Sequence, residues 1–188
     1  IGVRMLPVDA VFNRFPRLVR DLSSRLGKQV RLRTIGEGTE LDKGLIEKIA
    51  DPLVHLVRNS IDHGLEMPDV RRQAGKDEMG TITLAASHQG GHIVIEVSDD
   101  GRGLNRDKIL AKAHERGLAI PDNPTDTQVW DLIFQPGFST ADAVTDLSGR
   151  GVGMDVVRRN IQALGGEVQL ESQTGAGTRV LIRLPLTL

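Results

Sequence analysis

Four short stretches carry residue types and spacings suited to binding a polyphosphate. The first is His55-Leu-Val-Arg58-Asn59-Ser-Ile-Asp62-His63-Gly64. On a helix, His55, Asn59, Asp62 and His63 fall on one side, while Leu53, Val54, Leu56, Val57 and Ile61 cover much of the rest. Such a polar stripe offers imidazoles and side-chain oxygens to Mg²⁺ and phosphate, or is a solvated helix face. The second is Asp99-Asp100-Gly101-Arg102-Gly103, which follows the strand-like run Ile93–Val97. A carboxylate at a strand end can accept a hydrogen bond from the amino group of adenine and repel the carbonyl of guanine; the same letters also spell an ordinary Asp-Gly turn. The third is Gly149-Arg150-Gly151-Val152-Gly153, after Ser148 and just before a helix. Glycines there let backbone N–H groups gather around phosphate oxygens at a helix N-terminus; the alternative is a flexible linker. The fourth, Gly175-Ala-Gly177-Thr178, reads by itself as a hairpin turn.

Lys108 and Lys112 stand one helical turn apart, close enough for both to reach a polyphosphate or simply to be solvated. Phe134-Gln-Pro-Gly137-Phe138 sets aromatics beside a hinge-like Pro-Gly, as a closing lid needs. His88, His92 and His114 read as surface residues. No Gly-Lys-Ser/Thr follows the third stretch, so it is not a Walker loop. A long polar segment rather than a strand precedes it, so it is a poor dinucleotide fingerprint.

These stretches need elements to hold them. Helical spacing runs from Pro7 to Leu26, with a kink or break expected at Pro16, and again from Asp42 to His63, where Pro52 marks a bend or a fresh start. Strand patterns cover Val30–Ile35, Thr81–Ser87, Ile93–Ser98, Glu167–Glu171 and Thr178–Leu184, and Gln89-Gly90-Gly91 signals a hairpin. Met67–Met79 reads as a loop with helical character near Val70–Ala74. Short helices are expected at Asn105–Arg116, Asp126–Phe134 and Met154–Leu164, with a long polar segment from Gln135 to Gly153. The order predicts an α+β fold, a two-layer sandwich with one mixed sheet covered on one face by helices.

Composition narrows the function classes. The chain has 188 residues, 39% hydrophobic, enough for one domain with a real core, and a formal net charge of −1. No overall basic field points to nucleic acid, and no apolar run suits membrane insertion. The absence of cysteine excludes disulfides, zinc-thiolate sites and thiol nucleophiles, and fits a cytoplasmic location. Twenty-one glycines cluster in the segments above, where backbone must turn tightly or approach a ligand. Ile1 and the run ending at Leu188 read as cuts from a longer protein.

In this order, the segments resemble the boxes of the GHKL superfamily of gyrase, heat-shock chaperone, histidine kinase and MutL ATPases. The Asn59 helix resembles its N box, Asp99-x-Gly101-x-Gly103 its G1 box, Phe134–Phe138 its F box, Gly149-x-Gly151-x-Gly153 its G2 box, and Gly177-Thr178 its last element. Within the superfamily, residues 55–64, 136–140 and 148–157 are most similar to chemotaxis histidine kinases. The resemblance covers nearly the whole chain. It implies a Bergerat-type sandwich with a mobile ATP lid spanning roughly residues 104–153, forming a single catalytic domain over residues 1–188. It also implies Mg²⁺ and ATP as cofactors, and transfer of the γ-phosphate to a histidine on a separate phosphotransfer domain, in cis or in trans.

Residue by residue, the resemblance implies Asn59 as the Mg²⁺ ligand and Asp99, with Gly101 and Gly103, at adenine. Asp62 falls in the N-box stripe. His55, His63, Lys108 and Lys112 are implied near the phosphates, with His55 also a candidate metal contact. The backbone of Ser148, Gly149, Arg150, Gly151, Val152 and Gly153 is implied around the phosphate tail, and Thr178 at the adenine end. Catalysis is expected of His55, Arg58 and Asn59. Hydrolytic relatives usually carry a glutamate near position 55 to activate water. A histidine there favours transfer to a better nucleophile. A coupling protein, receptors and a response regulator are expected as partners through other domains. The competing readings are an ATPase that drives a clamp and a non-catalytic nucleotide-binding scaffold.

Overall fold

In the computed structural model, residues 4–139 and 153–187 are described. A short strand β1 (Met5–Pro7) pairs antiparallel with β3 (Glu40–Asp42). Between them lie α1 (Asp9–Phe12), α2 (Phe15–Leu26) and β2 (Val30–Ile35). Pro16 does not kink one long helix. It stands in the first turn of α2, where no helical hydrogen bond needs its missing N–H, and the chain breaks before it at Asn13-Arg14. Gly27 closes α2 in the left-handed conformation. The small β1–β3 sheet gave no sequence signal, because three residues are too few to show an alternation.

The helix α3 (Lys43–Asn59) starts where the Asp42 carboxylate accepts from the Gly44 N–H at 2.9 Å. It continues unbroken through Pro52 and passes into a wider π-type turn, Ser60–Gly64, marked by the Leu65 N–H donating to the Ser60 carbonyl at 2.8 Å. Then follow α4 (Pro68–Gln73), β4 (Gly80–Gln89), β5 (His92–Asp99), α5 (Arg106–Glu115), α6 (Asp126–Asp131) with a 3₁₀ turn to Phe134, α7 (Met154–Ala163), β6 (Glu167–Gln173) and β7 (Gly177–Pro185).

The main sheet has the order β2-β4-β5-β7-β6. Only β2–β4 is parallel, so the sheet is mixed. Alternate residues of each strand point to one face. On that face Ile82, Leu84, Ile93, Ile95, Val97, Ile182 and Leu184 are buried, together with Leu45, Ile49, Leu53 and Val57 of α3 and Val157 and Ile161 of α7. The opposite face carries Arg31, Arg33, Glu96, Arg179, Arg183 and Glu171. Arg179 bridges Glu96 at 2.6 Å and Glu171 at 3.5 Å there. One apolar face under helices and one charged face toward water is the expected α+β sandwich.

Candidate nucleotide site

The apolar face of the sheet ends in one polar row. Ile93, Ile95 and Val97 point into the core, and Asp99 is the next residue on the same side. Strand register places Thr178 opposite Asp99, and Ser172 opposite Thr178. The row is tied together: the Ser172 and Thr178 hydroxyls are 3.2 Å apart, and the Leu104 N–H donates to the Ser172 hydroxyl at 2.7 Å. Above this row opens a cavity of about 400 Å³. His55, Asn59 and His63 line its helical side, Asp99 and Thr178 its floor, and Lys112, Ile133 and Gly153 its far side.

Asp99 is held where burial alone would disfavour its charge. Burial pushes its carboxyl above the usual carboxylate range. The Gly101 N–H, the Ser60 hydroxyl and the Thr178 backbone oppose that shift, while the Asp100 charge adds to it. The Gly101 N–H donates to Asp99 Oδ1 at 2.9 Å. The turn around it is packed backbone on backbone. A Cβ on Gly101 would lie 2.1 Å from the Gly64 carbonyl oxygen, and one on Gly177, whose φ is +120°, would lie 2.0 Å from that of Asp99. The Arg102 N–H donates to Gly64 at 2.9 Å, which binds the Asp99 turn to the end of the π-type turn.

That π-type turn decides which polar residues of the first stretch face the cavity. Regular helical spacing puts Asp62 on the stripe with His55 and Asn59. The wider turn instead leaves Asp62 exposed and brings His63 and Gly64 to the cavity wall. The Asp62 carboxylate lies 3.5 Å from the His63 ring, and Lys28 Nζ donates to the carbonyls of Ile61 and Asp62 at 2.6 and 2.9 Å. Lys28 thus fixes the carbonyl end of the turn, a role its position in sequence gave no reason to suspect. Burial lowers the Lys28 pKa, offset in part by Asp62.

His55 is buried, at 8% exposure, and its pKa is lowered first by burial and then by the neighbouring Arg58 charge. Its imidazole is therefore neutral around neutral pH, able to accept or donate a hydrogen bond. The Asn59 amide nitrogen meets the Met154 sulfur at 3.6 Å, which leaves the oxygen for other partners. Lys112 lies over the Phe138 ring, 4.7 Å from its centre, so a cavity cation rests on the Pro-Gly segment. Arg158 covers Phe134 at 4.3 Å and pairs with Asp131.

Gly101 and Gly103 shape the turn, and Gly103 also touches the cavity. Among the described residues the cavity wall does not include Arg58, Asp62, Gly101 or Lys108; Lys108 is exposed on α5. Ser148, Gly149, Arg150, Gly151 and Val152 lie outside the described residues. Sequence reasoning missed Ser60, whose hydroxyl bonds Asp99, and Ser172, which strand register sets beside Thr178. It also missed the buried Arg71 with Glu66 and Lys76 beneath the turn.

Asp99, at the end of β5, thus lies in one cavity with Asn59 of α3, on a sheet of order β2-β4-β5-β7-β6. The family model described as histidine kinase-, DNA gyrase B-, and HSP90-like ATPase matches residues 48–188, and the chain belongs to that family. All of the chain aligns with the chemotaxis protein CheA of Salmonella typhimurium at 62% identity and of Bacillus subtilis at 54%, spanning 28% of each relative's length. The fold matches the catalytic domain of the histidine kinase ThkA with a TM-score of 0.60 and 16% identity, covering all of this chain and 97% of that one. Among the described residues no helix is long and apolar enough to cross a membrane.

Proposed function

We propose that residues 1–188 are the ATP-binding catalytic domain of a longer chemotaxis histidine kinase, supplying the γ-phosphate of Mg·ATP to a histidine on a separate phosphotransfer domain. The observation that carries this reading is the half-buried Asp99 carboxylate at the cavity floor, in one cavity with Asn59. Asp99 accepts from the exocyclic amino group of adenine, and guanine, with a carbonyl there, is rejected. Thr178 and Ser172, in the same cross-strand row, support that end.

Asn59 offers one neutral oxygen to a cation. A Mg²⁺ bound there would take its other ligands from phosphate oxygens and water. When bound, that ion offsets phosphate charge. His55, neutral and anchored in α3, orients the phosphate end and can move a proton there. Lys112 and His63 add donors on the cavity wall. The family pattern also implies Lys108 and the 148–153 backbone at the phosphates, and Arg58 in catalysis; Lys108 and Arg58 do not line this cavity.

The acceptor histidine, coupling protein, receptors and response regulator belong to other domains and proteins. The test is to incubate the chain with γ-labelled ATP, Mg²⁺ and a histidine-bearing phosphotransfer domain. Acid-labile label on that domain, with little free phosphate, is expected. Steady phosphate release with no labelled protein would replace the kinase with the ATPase clamp.

A further inference from the structure

Beneath the Asp99 turn lies a charge cluster that the nucleotide reading does not use. Arg71, on α4, is 1% exposed. Its guanidinium donates to Glu66 Oε1 at 2.9 Å, to the Asp77 carbonyl at 2.6 Å, to the Asp100 carbonyl at 3.1 Å and to Asp100 Oδ2 at 3.2 Å. Lys76 Nζ donates to Glu66 Oε2 at 2.7 Å and to the carbonyls of Asp100 and Gly101 at 3.1 and 2.8 Å. The other Asp100 oxygen accepts from the Thr81 N–H at 2.8 Å. Both cations and both carboxylates are paired, so the charges balance, with Asp100 reaching solvent at one side.

Burying such a group is a poor route to stability, since well-packed apolar side chains do as well or better. What the cluster does that apolar residues cannot is fix peptide orientation. Both cations converge on the carbonyl of Asp100, and Lys76 also holds that of Gly101. Those carbonyls flank the Asp100–Gly101 and Gly101–Arg102 peptides, and the first of these supplies the N–H that pins Asp99 Oδ1. Turning that peptide would carry the donor away from Asp99.

We propose that Arg71 and Lys76 are positioning residues for base selection: they lock the peptide that aims the Asp99 carboxylate, and so set the preference for a 6-amino purine. This rests on the reading of Asp99 given above. Neither cation touches the nucleotide in this scheme, and both act through Asp99.

The test measures affinity for ATP and for inosine triphosphate, which carries a carbonyl in place of the amino group, by displacement of a fluorescent nucleotide. Arg71→Met risks unfolding, because it strands Glu66. Lys76→Met is the working variant, since it keeps the aliphatic stem at a side chain 19% exposed. A folded Lys76→Met chain is expected to lose about tenfold of its preference for ATP over inosine triphosphate. The same change made on Asp99→Asn is expected to lose nothing further.

An unchanged ratio in Lys76→Met, or an equal loss for both nucleotides, would overturn the proposal while leaving Asp99 as the base reader. A wild-type chain that binds both nucleotides equally would overturn the Asp99 reading and the proposal together.

Discussion

Asp99→Asn should make the empty protein more stable and the nucleotide complex weaker. The structure sets both signs. Burial raises the Asp99 pKa in the fold above its unfolded value, so the charged form is the costly one. A group shifted this way contributes stability that is full below its unfolded pKa and lost as pH rises through its folded pKa. Above that folded pKa the native carboxylate carries the cost of its charge, and a neutral amide of the same shape avoids it. The Asn side chain can still accept from the Gly101 N–H at the 2.9 Å site. For the nucleotide the substitution removes a charged acceptor. A hydrogen bond to a charged group contributes about 1.5–3 kcal/mol, or roughly 10- to 150-fold in affinity. The assay is a thermal melt of both proteins from neutral pH down to the ordinary carboxylate value of 3.8, with and without saturating Mg·ATP. The variant is expected to melt higher than wild type when empty at neutral pH, with the gap closing on acidification, and to gain little from ATP. A variant that melts lower when empty, with a gap that does not depend on pH, would refute the claim that burial dominates the Asp99 environment.

Three further outcomes follow from the site. His55 has its folded pKa below the ordinary 6.5, so stability is lost as pH falls from that value toward the lowered one; His55→Gln should remove this acid-side loss, read as a flatter melting profile below neutrality. Gly101→Ala forces a Cβ to within 2.1 Å of the Gly64 carbonyl, so ATP affinity should fall at least tenfold with helix content kept, as read by titration and circular dichroism. Ser172→Ala deprives the Leu104 N–H of its acceptor at 2.7 Å, at a cost of about 1 kcal/mol, and hydrogen exchange at Leu104 should quicken while that of β5 stays slow.

The sheet and most helices were legible because their signals are local. Alternation marked β2, β4, β5, β6 and β7, and Gly90-Gly91 turned the hairpin between Gln89 and His92. Asp99 was legible as a strand-end carboxylate, yet its row with Thr178 and Ser172 depends on pairing register, which two separated strands do not print in their letters. The exclusion of Asp62 from the cavity wall depends on one widened turn, and helical spacing gave no warning of it. Arg71 looked like one more charge in a polar loop. It is buried because Glu66 and Asp100, separated from it in the sequence, pair with it only in the folded chain, where Lys76 shares Glu66. Of the bend or fresh start that Pro52 signals, the fresh start does not occur, since α3 runs from Lys43 through Pro52 to Asn59.

The most direct test of base recognition and nucleotide binding is a titration of the folded chain with a fluorescent ATP analogue in Mg²⁺, competed by ATP and by GTP. Saturable binding displaced by ATP and not by GTP is the expected result, because a carboxylate at the cavity floor accepts from adenine and repels the guanine carbonyl. A folded chain that binds nothing, or that releases the analogue equally to GTP, would contradict it.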